Sequence, residues 1–151
     1  MTTTPTFRHL TEATDLHLAF ELMRQLRPHL SDSCSFSTQI TRQFHQGYRL
    51  LGAWLDTELV ALAGFRHLEN LLYGQFIYID DLVVAQTRRH HGLGAKLLAE
   101  VRREAIQGGN ANLVLDTGLH MPLAQRFYFR EGLLAKGMHF VQPLHEDRSN
   151  A

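Results

Sequence analysis

The chain has 151 residues, of which 44% are hydrophobic and 20% charged, a composition typical of one globular domain with its own core. Fifteen basic and fifteen acidic residues give a formal net charge of zero, which argues against attraction of the whole molecule to nucleic acid or to an anionic membrane. The single cysteine rules out an internal disulfide and favours a reducing compartment. We therefore expect one domain over residues 1–151 and a cytoplasmic location.

The N-terminal third predicts one strand and two helices. A short strand covers residues 6–10. Beyond it, apolar residues recur at spacings of three and four, which predicts an amphipathic helix that stops at Pro28. A second helix is expected over residues 38–46, with Ser35 or Ser37 as its cap.

The middle of the chain predicts a hairpin, a long strand and a helix. Residues 48–55 and 58–68 are apolar and β-prone, and Asp-Thr between them suggests a tight connection. The strongest strand signal is "GQFIYIDDLVV" at residues 74–84. From Gly92 the apolar period changes from two to about 3.6, which predicts a helix that ends at Gly108-Gly109.

The C-terminal part predicts two more strands around a short helix. A buried strand is expected over residues 111–117, and Pro122 suits the first turn of the helix that follows. The stretch 133–144 is predicted as a closing strand broken near Gly137. Only the strands near 77–84 and 111–117 resemble a right-handed parallel crossover, so the fold class is α+β, or mixed α/β, without a doubly wound sheet.

A turn rich in glycine and positive charge precedes the predicted helix at Gly92. Its sequence is Arg89-His90-His91-Gly92-Leu93-Gly94, directly after a strand. The first amides of a helix lack intrahelical partners and carry partial positive charge, and glycine lets an anion approach them. Two readings stay open on these residues alone, namely an anion-binding turn and a tight turn with solvated arginines.

Two other phosphate-binding motifs do not fit this spacing. A P-loop requires Gly-Lys followed by a hydroxyl residue, whereas Gly94 is followed by Ala95 and Lys96. A dinucleotide fingerprint requires a small residue three positions after the second glycine, and the residue there is Leu97.

The turn instead has the pattern Arg/Gln-x-x-Gly-x-Gly/Ala, and in this it resembles the coenzyme-A loop of the GCN5-related N-acetyltransferases (GNAT). The segment "LAQRFYFREGL" at 123–133 is similar to that family's Ala-x-x-Phe-Tyr-x-x-x-Gly-Phe stretch, and "LVLDTG" lies between the two. The order of elements also agrees over most of the chain. The resemblance implies a mixed, mostly antiparallel sheet of six or seven strands, about four helices and a splayed pair of parallel strands.

The resemblance also implies how acetyl-coenzyme A is bound as co-substrate, without a metal. Main-chain groups at the end of the long strand would pair with the pantetheine arm as an added strand, and the turn would hold the pyrophosphate. The implied cofactor-binding residues are Leu82, Val83, Val84, Arg89, His90, His91, Gly92, Leu93, Gly94 and Ala95.

Acyl transfer from a thioester to an amine requires an acid for the thiolate and a base for the amine. The resemblance implies Tyr128 as the acid, and the alternative is an aromatic residue that only packs on the core.

Asp80 and Asp81 lie side by side in an apolar strand, where successive side chains point to opposite faces. One of them is expected to be the base, directly or through water. Parity with Tyr78 favours Asp80, and a bulge in this strand would reverse that preference. The alternative for either aspartate is a salt bridge or a turn-capping role.

The expected function is N-acetyl transfer from acetyl-coenzyme A to a primary amine of a small molecule or peptide, by direct attack in a ternary complex. The alternative is a non-catalytic coenzyme-A-binding or interaction module with the same fold. No His-x-His or His-x-x-x-His pair suggests a metal site, and nothing supports a nucleophile at Cys34. The resemblance further implies a homodimer, paired through sheet edges or the stretch 138–144.

Overall fold

The computed structural model describes residues 4–145. These residues form two compact units, one ending at Leu115 and the other beginning at Asp116. The first unit contains nearly all of the secondary structure, and the second contains one helix. Each unit is described by itself below.

Five strands and three helices make up the first unit, and a fourth helix lies in the second. A 3₁₀ turn over Gln86–Arg88 joins the long strand to the third helix. In chain order the elements are β1 (Thr6–His9), α1 (Ala13–Leu26), α2 (Ser33–His45), β2 (Tyr48–Leu55), β3 (Glu58–Asn70), β4 (Gly74–Val84), α3 (Leu93–Gln107), β5 (Asn112–Leu115) and α4 (Pro122–Arg130).

The sheet follows the chain order β1-β2-β3-β4-β5. Its first four strands pair antiparallel, and β4 and β5 pair parallel across the crossover helix α3. This confirms the predicted class, a mixed and mostly antiparallel sheet with helices and one parallel pair. The hairpin of β2 and β3 and the crossover through α3 are likewise where the apolar periodicity placed them.

Helices cover both faces of this sheet. One core cluster joins the apolar sides of α1 and α2 to a row of strand residues that includes Leu50, Leu62 and Val83. Alternation turns Phe65 and its partner Ile79 to the other face, where α3 contacts β3, β4 and β5. Burial of apolar side chains from both faces is the main stabilising contribution to this unit.

The largest differences from the predicted elements concern α2, β5 and the stretch after α4. Helix α2 begins at Ser33 instead of residue 38, because the Asp32 carboxylate caps it by accepting the amides of Cys34 and Ser35. Strand β5 ends at Leu115, two residues short of its predicted end. Within residues 133–145 the structure has no strand, so the described sheet has five strands, and the prediction of six or seven was wrong. Gly137 and Pro143 weaken that stretch, since proline cannot donate to a ladder.

Candidate active site

The turn between β4 and α3 has the geometry of an anion site. Gly92 caps α3 in the left-handed region at φ 77°, and no side chain caps the helix there. His90, a non-glycine residue, also has a positive φ of 67°. The first amides of α3 therefore keep no intrahelical or side-chain partner at this end, and the helix dipole adds to their positive potential.

Several contacts hold this turn in place. The amide of Ala85 donates to the Val60 carbonyl at 2.8 Å, and that of Gln86 to Gln25 Oε1 at 2.8 Å. The two arginines of this turn, Arg88 and Arg89, differ in their contacts. Arg88 forms an ion pair with Glu58, whereas Arg89 donates Nε to the Val84 carbonyl at 3.3 Å.

The parallel pairing next to this turn stops early. Strand β5 pairs with β4 from Phe76↔Asn112 to Ile79↔Leu115. Beyond that point β4 runs on to Val84 with β3 on one side and no strand paired on the other, within the described sheet. The main chain of Leu82, Val83 and Val84 thus lies on an edge with which no strand of the described sheet pairs, and the Val84 carbonyl there accepts from Arg89.

A β-bulge lies at the two adjacent aspartates. Phe65 pairs with Ile79 and Gly64 with Asp81, so Asp80 is the extra residue on β4. A bulge of this kind breaks the alternation of side chains. Tyr48 and Arg66 are cross-strand partners, so their side chains lie on one face of the sheet. Asp81 contacts Tyr48 and Asp80 contacts Arg66, which places both aspartates on that face. The expectation that they point to opposite faces was wrong, and the bulge reverses the preference for Asp80 that rested on parity with Tyr78.

Asp81 has partners on both carboxylate oxygens. Tyr48 donates its hydroxyl to Oδ2 at 2.8 Å, and Arg27 donates Nε to Oδ1 at 3.1 Å. Arg27 also donates to the main-chain carbonyl of Asp80 at 2.9 Å. Burial, reinforced by the charge of Asp81, raises the pKa of Tyr48 well above its usual value of 10. Tyr48 therefore remains a hydrogen-bond donor at neutral pH.

Asp80 is in a different environment from Asp81. Its Oδ2 accepts Arg66 Nε at 3.0 Å, and the same guanidinium donates to Gln43 Oε1 at 3.2 Å. Burial raises the pKa of Asp80, and the charge of Arg66 opposes that shift without cancelling it. Both aspartates are thus salt-bridged, as the alternative reading allowed. Burial nevertheless leaves the pKa of Asp80 above the usual value for an aspartate.

Tyr128 lies on α4 in the second unit. The side chain is half-buried, and its ring meets that of Phe127 edge-on with centroids 5.3 Å apart. Burial raises the pKa of Tyr128, so the phenol keeps its proton at neutral pH. These features suit a proton donor and also suit a packing residue.

Sequence reasoning missed the residues that surround the aspartates, namely Arg27, Tyr48, Gly64 and Arg66. Gly64 gave the one available signal, because a glycine inside an apolar strand often marks a bulge or a close approach. Nothing local could pair Arg27 with Asp81, which is 54 residues away.

Neither a metal group nor a membrane-spanning helix is found in the described residues. Over residues 4–145, no three His, Cys, Asp or Glu side chains are grouped so that they could hold a metal ion. No helix in the same range is long and apolar enough to cross a bilayer.

Comparison with known proteins identifies the class that this fold and site define. Residues 15–132 match the model of the acetyltransferase (GNAT) family, and the chain belongs to that family. No curated protein matches the sequence.

Solved structures agree with this fold at low sequence identity. An acetyltransferase from Trypanosoma brucei is 20% identical, with a TM-score of 0.76 over 93% of this chain and 100% of its own. The aminoglycoside acetyltransferase AAC(6')-Iy, in complex with a bisubstrate analog that contains coenzyme A, is 17% identical. Its TM-score is 0.80, over 93% of this chain and 98% of its own. The ribosomal-protein-alanine N-acetyltransferase of Brucella melitensis is 18% identical, with a TM-score of 0.79 over 93% of this chain and 99% of its own.

Proposed function

We propose that the protein transfers an acetyl group from acetyl-coenzyme A to a primary amine of a small molecule or peptide, by direct attack in a ternary complex. Membership of the acetyltransferase (GNAT) family supports acyl-transfer chemistry. The observation that carries the proposal is the continuity of two features. The open edge of β4 leads directly into the uncapped, positively polarised start of α3.

The residues present fit coenzyme A in two ways. Main-chain groups of Leu82, Val83 and Val84 lie where an extended amide-bearing arm could add to the sheet as a short strand. The turn from Arg89 to Ala95 offers helix-start amides for a pyrophosphate, and Gly92 has nothing within 4 Å of where a Cβ would stand. Arg89, His90 and His91 are exposed beside it. Bound there, acetyl-coenzyme A supplies an activated thioester.

Asp80 is the proposed base and Tyr128 the proposed acid. The amine nitrogen bonds to the acetyl carbon, the carbon–sulfur bond breaks, and the nitrogen loses a proton to Asp80, directly or through water. The departing thiolate receives a proton from the Tyr128 hydroxyl. The raised pKa of Asp80 supports its role, because a stronger base takes a proton more readily. Asp81 is less suited, since Tyr48 and Arg27 already engage both of its oxygens.

The acceptor, the assembly and the compartment are parts of the same proposal. Similar structures are named for aminoglycosides and for a ribosomal-protein alanine, which makes both amine classes worth testing here. A homodimer is proposed from the family resemblance. A cytoplasmic location is supported by the exposed free thiol of Cys34, which suits a reducing environment.

A panel of amines tests the proposal. Aminoglycosides, polyamines, amino acids and peptides with free N-termini or lysines are incubated with acetyl-coenzyme A, and release of free thiol is followed. At least one amine should accelerate release, and Tyr128→Phe should lower kcat by roughly 10²–10⁴-fold, the usual worth of general acid catalysis.

Two outcomes of the panel contradict parts of the proposal. Coenzyme-A binding without amine-dependent release across the panel would favour the non-catalytic module. Full turnover in Tyr128→Phe, with chemistry limiting the rate, would leave Tyr128 as a packing residue and water as the acid.

A further inference from the structure

Tyr48 has a buried hydroxyl group to which the proposed reaction gives no role. Its side chain is 0% exposed, and its hydroxyl donates to Asp81 at 2.8 Å. Its ring stacks near Phe44 and lies under the Arg66 guanidinium, at 5.4 Å from the ring centroid. A tyrosine at a fully buried position costs more than a phenylalanine unless its hydroxyl is paired, so the pair with Asp81 explains the hydroxyl.

Gly64 provides the space for this hydroxyl. A Cβ on Gly64 would lie 1.8 Å from the Tyr48 hydroxyl oxygen and 2.4 Å from the ring carbon that carries it. Gly64 is also the β3 partner of Asp81 across the bulge. The absence of a side chain at this one position therefore lets Tyr48 reach the carboxylate.

Arg27 ties the bulge from the side of α1. One guanidinium donates both to Asp81 Oδ1 and to the main-chain carbonyl of Asp80, the extra residue of the bulge. The backbone of Asp80 and the carboxylate of Asp81 are thereby fixed to the same group. Together with Tyr48, Arg27 occupies both carboxylate oxygens of Asp81 and so fixes the position of its side chain.

We propose that Tyr48 and Arg27 are positioning residues of the acetyl-transfer reaction, which act through Asp81 to fix the bulge and so present Asp80 as the proton acceptor. This rests on the proposed function, because it takes Asp80 as the base. The charged and titratable groups facing the pair are Arg27, which directly follows α1, Tyr48 from β2 and Arg66 from β3, while α2 contributes the neutral Gln43. With both oxygens of Asp81 engaged by donors, the proton taken from the amine goes to Asp80.

Tyr48→Phe tests this inference, with Tyr73→Phe as the matched control. Each change removes one hydroxyl, and Tyr73 lies beyond the end of β3 at the far end of the β3–β4 hairpin. Tyr48→Phe should lower kcat about tenfold to a hundredfold, the worth of a hydrogen bond to a charged group, with KM for acetyl-coenzyme A unchanged. The acidic limb of the rate profile should move to higher pH, because the charge of Asp81, with one donor fewer to offset it, raises the pKa of Asp80 further. Tyr73→Phe should behave as the wild type.

The double variant shows whether Tyr48 acts through Asp81. In an Asp81→Asn background, Tyr48→Phe should shift the acidic limb no further. An additional shift there, or a Tyr48→Phe profile identical to that of Tyr73→Phe, would overturn the inference. Should Tyr48→Phe fail to fold, Arg27→Gln is measured in the same way, with the same expected shift.

A readout without turnover separates this inference from the proposed function. Carboxyl carbon resonances, followed by NMR as pH falls, should place the first proton of the pair on Asp80 in the wild type. In Tyr48→Phe the proton should be shared with Asp81. A first proton on Asp81 in the wild type would overturn the inference whatever the activity, whereas a wild type inactive on every amine would overturn the proposed function alone.

Discussion

Asp80 combines a chemical role with an energetic cost to the fold. Its half-buried carboxylate is paired with Arg66, yet burial still raises its pKa above the usual 3.8. Compared with the unfolded chain, the folded protein therefore binds a proton at Asp80 more readily. The stability that this preference adds is fully present below about pH 3.8 and is lost as pH rises through the raised folded value. Above that value the contribution is absent, so at neutral pH the fold is less stable than it would be with a neutral side chain at this position, a cost often seen at functional positions.

Asp80→Asn is expected to separate stability from activity. The amide is neutral like the protonated acid, so the melting temperature at pH 7 should equal or exceed that of the wild type, and the difference should shrink towards acidic pH. The rate of acetyl transfer should fall by roughly 10²–10⁴-fold. Thermal unfolding at several pH values, alongside the thiol assay, measures both. A clearly lower melting temperature at pH 7 would mean that the ion pair with Arg66 outweighs the cost of burial.

At this scale the sequence identified the acids without their surroundings. Two aspartates inside an apolar strand were visible as a candidate base from residue type alone. Their shared face was not, because a bulge depends on how two strands register and leaves only a glycine in the sequence. Their partners come from other parts of the chain, because Arg27 directly follows α1 and Arg66 lies on β3. These parts come together only in the folded protein.

Among the elements, those with strong periodicity were predicted best. The hairpin, the long strand β4 and helix α3 follow from alternating or 3.6-residue apolar patterns, and all three lie close to their predicted bounds. Helix α2 was predicted too short, since its cap Asp32 lies before the apolar pattern begins. The closing strand at 133–144 was predicted from β-prone residues alone, without a partner strand to pair with.

The α3 turn gives a prediction at the scale of one element. Gly92→Glu would place a carboxylate at the helix start, against any bound pyrophosphate, and should abolish measurable coenzyme-A binding in calorimetry. Gly109→Glu is the matched control, because Gly109 has nearly the same φ, 75° against 77°, and equally open space after the same helix. Both variants bear the same cost of a non-glycine residue at positive φ, and Gly109→Glu is further opposed by the helix dipole, while only Gly92→Glu loses binding. Unchanged affinity in folded Gly92→Glu would remove the turn from the coenzyme site.

The whole molecule carries an apolar surface that its own chain leaves exposed. In the second unit, several large side chains after α4 are between 73% and 87% exposed. They are Leu134, Met138, Phe140, Val141 and Leu144. Exposed apolar groups concentrated in one segment often mark an interaction surface, which supports the homodimer expected from the family resemblance.

Light scattering over a range of concentrations tests this assembly. The measured mass should be twice the 17.3 kDa of one chain. Met138→Lys with Phe140→Lys should shift the mass towards that of the single chain, because two buried charges oppose association. A mass of one chain at every working concentration would contradict the dimer and leave the proposed chemistry untouched.

The central claim is that this chain moves an acetyl group from a thioester to nitrogen. Mass spectrometry of the amine, after incubation with isotope-labelled acetyl-coenzyme A and wild-type protein, measures that step directly. We expect one labelled acetyl group on a nitrogen of an amine from the panel, and no label with folded Gly92→Glu. An unlabelled panel, obtained with wild-type protein that binds coenzyme A at the α3 turn, would contradict the claim.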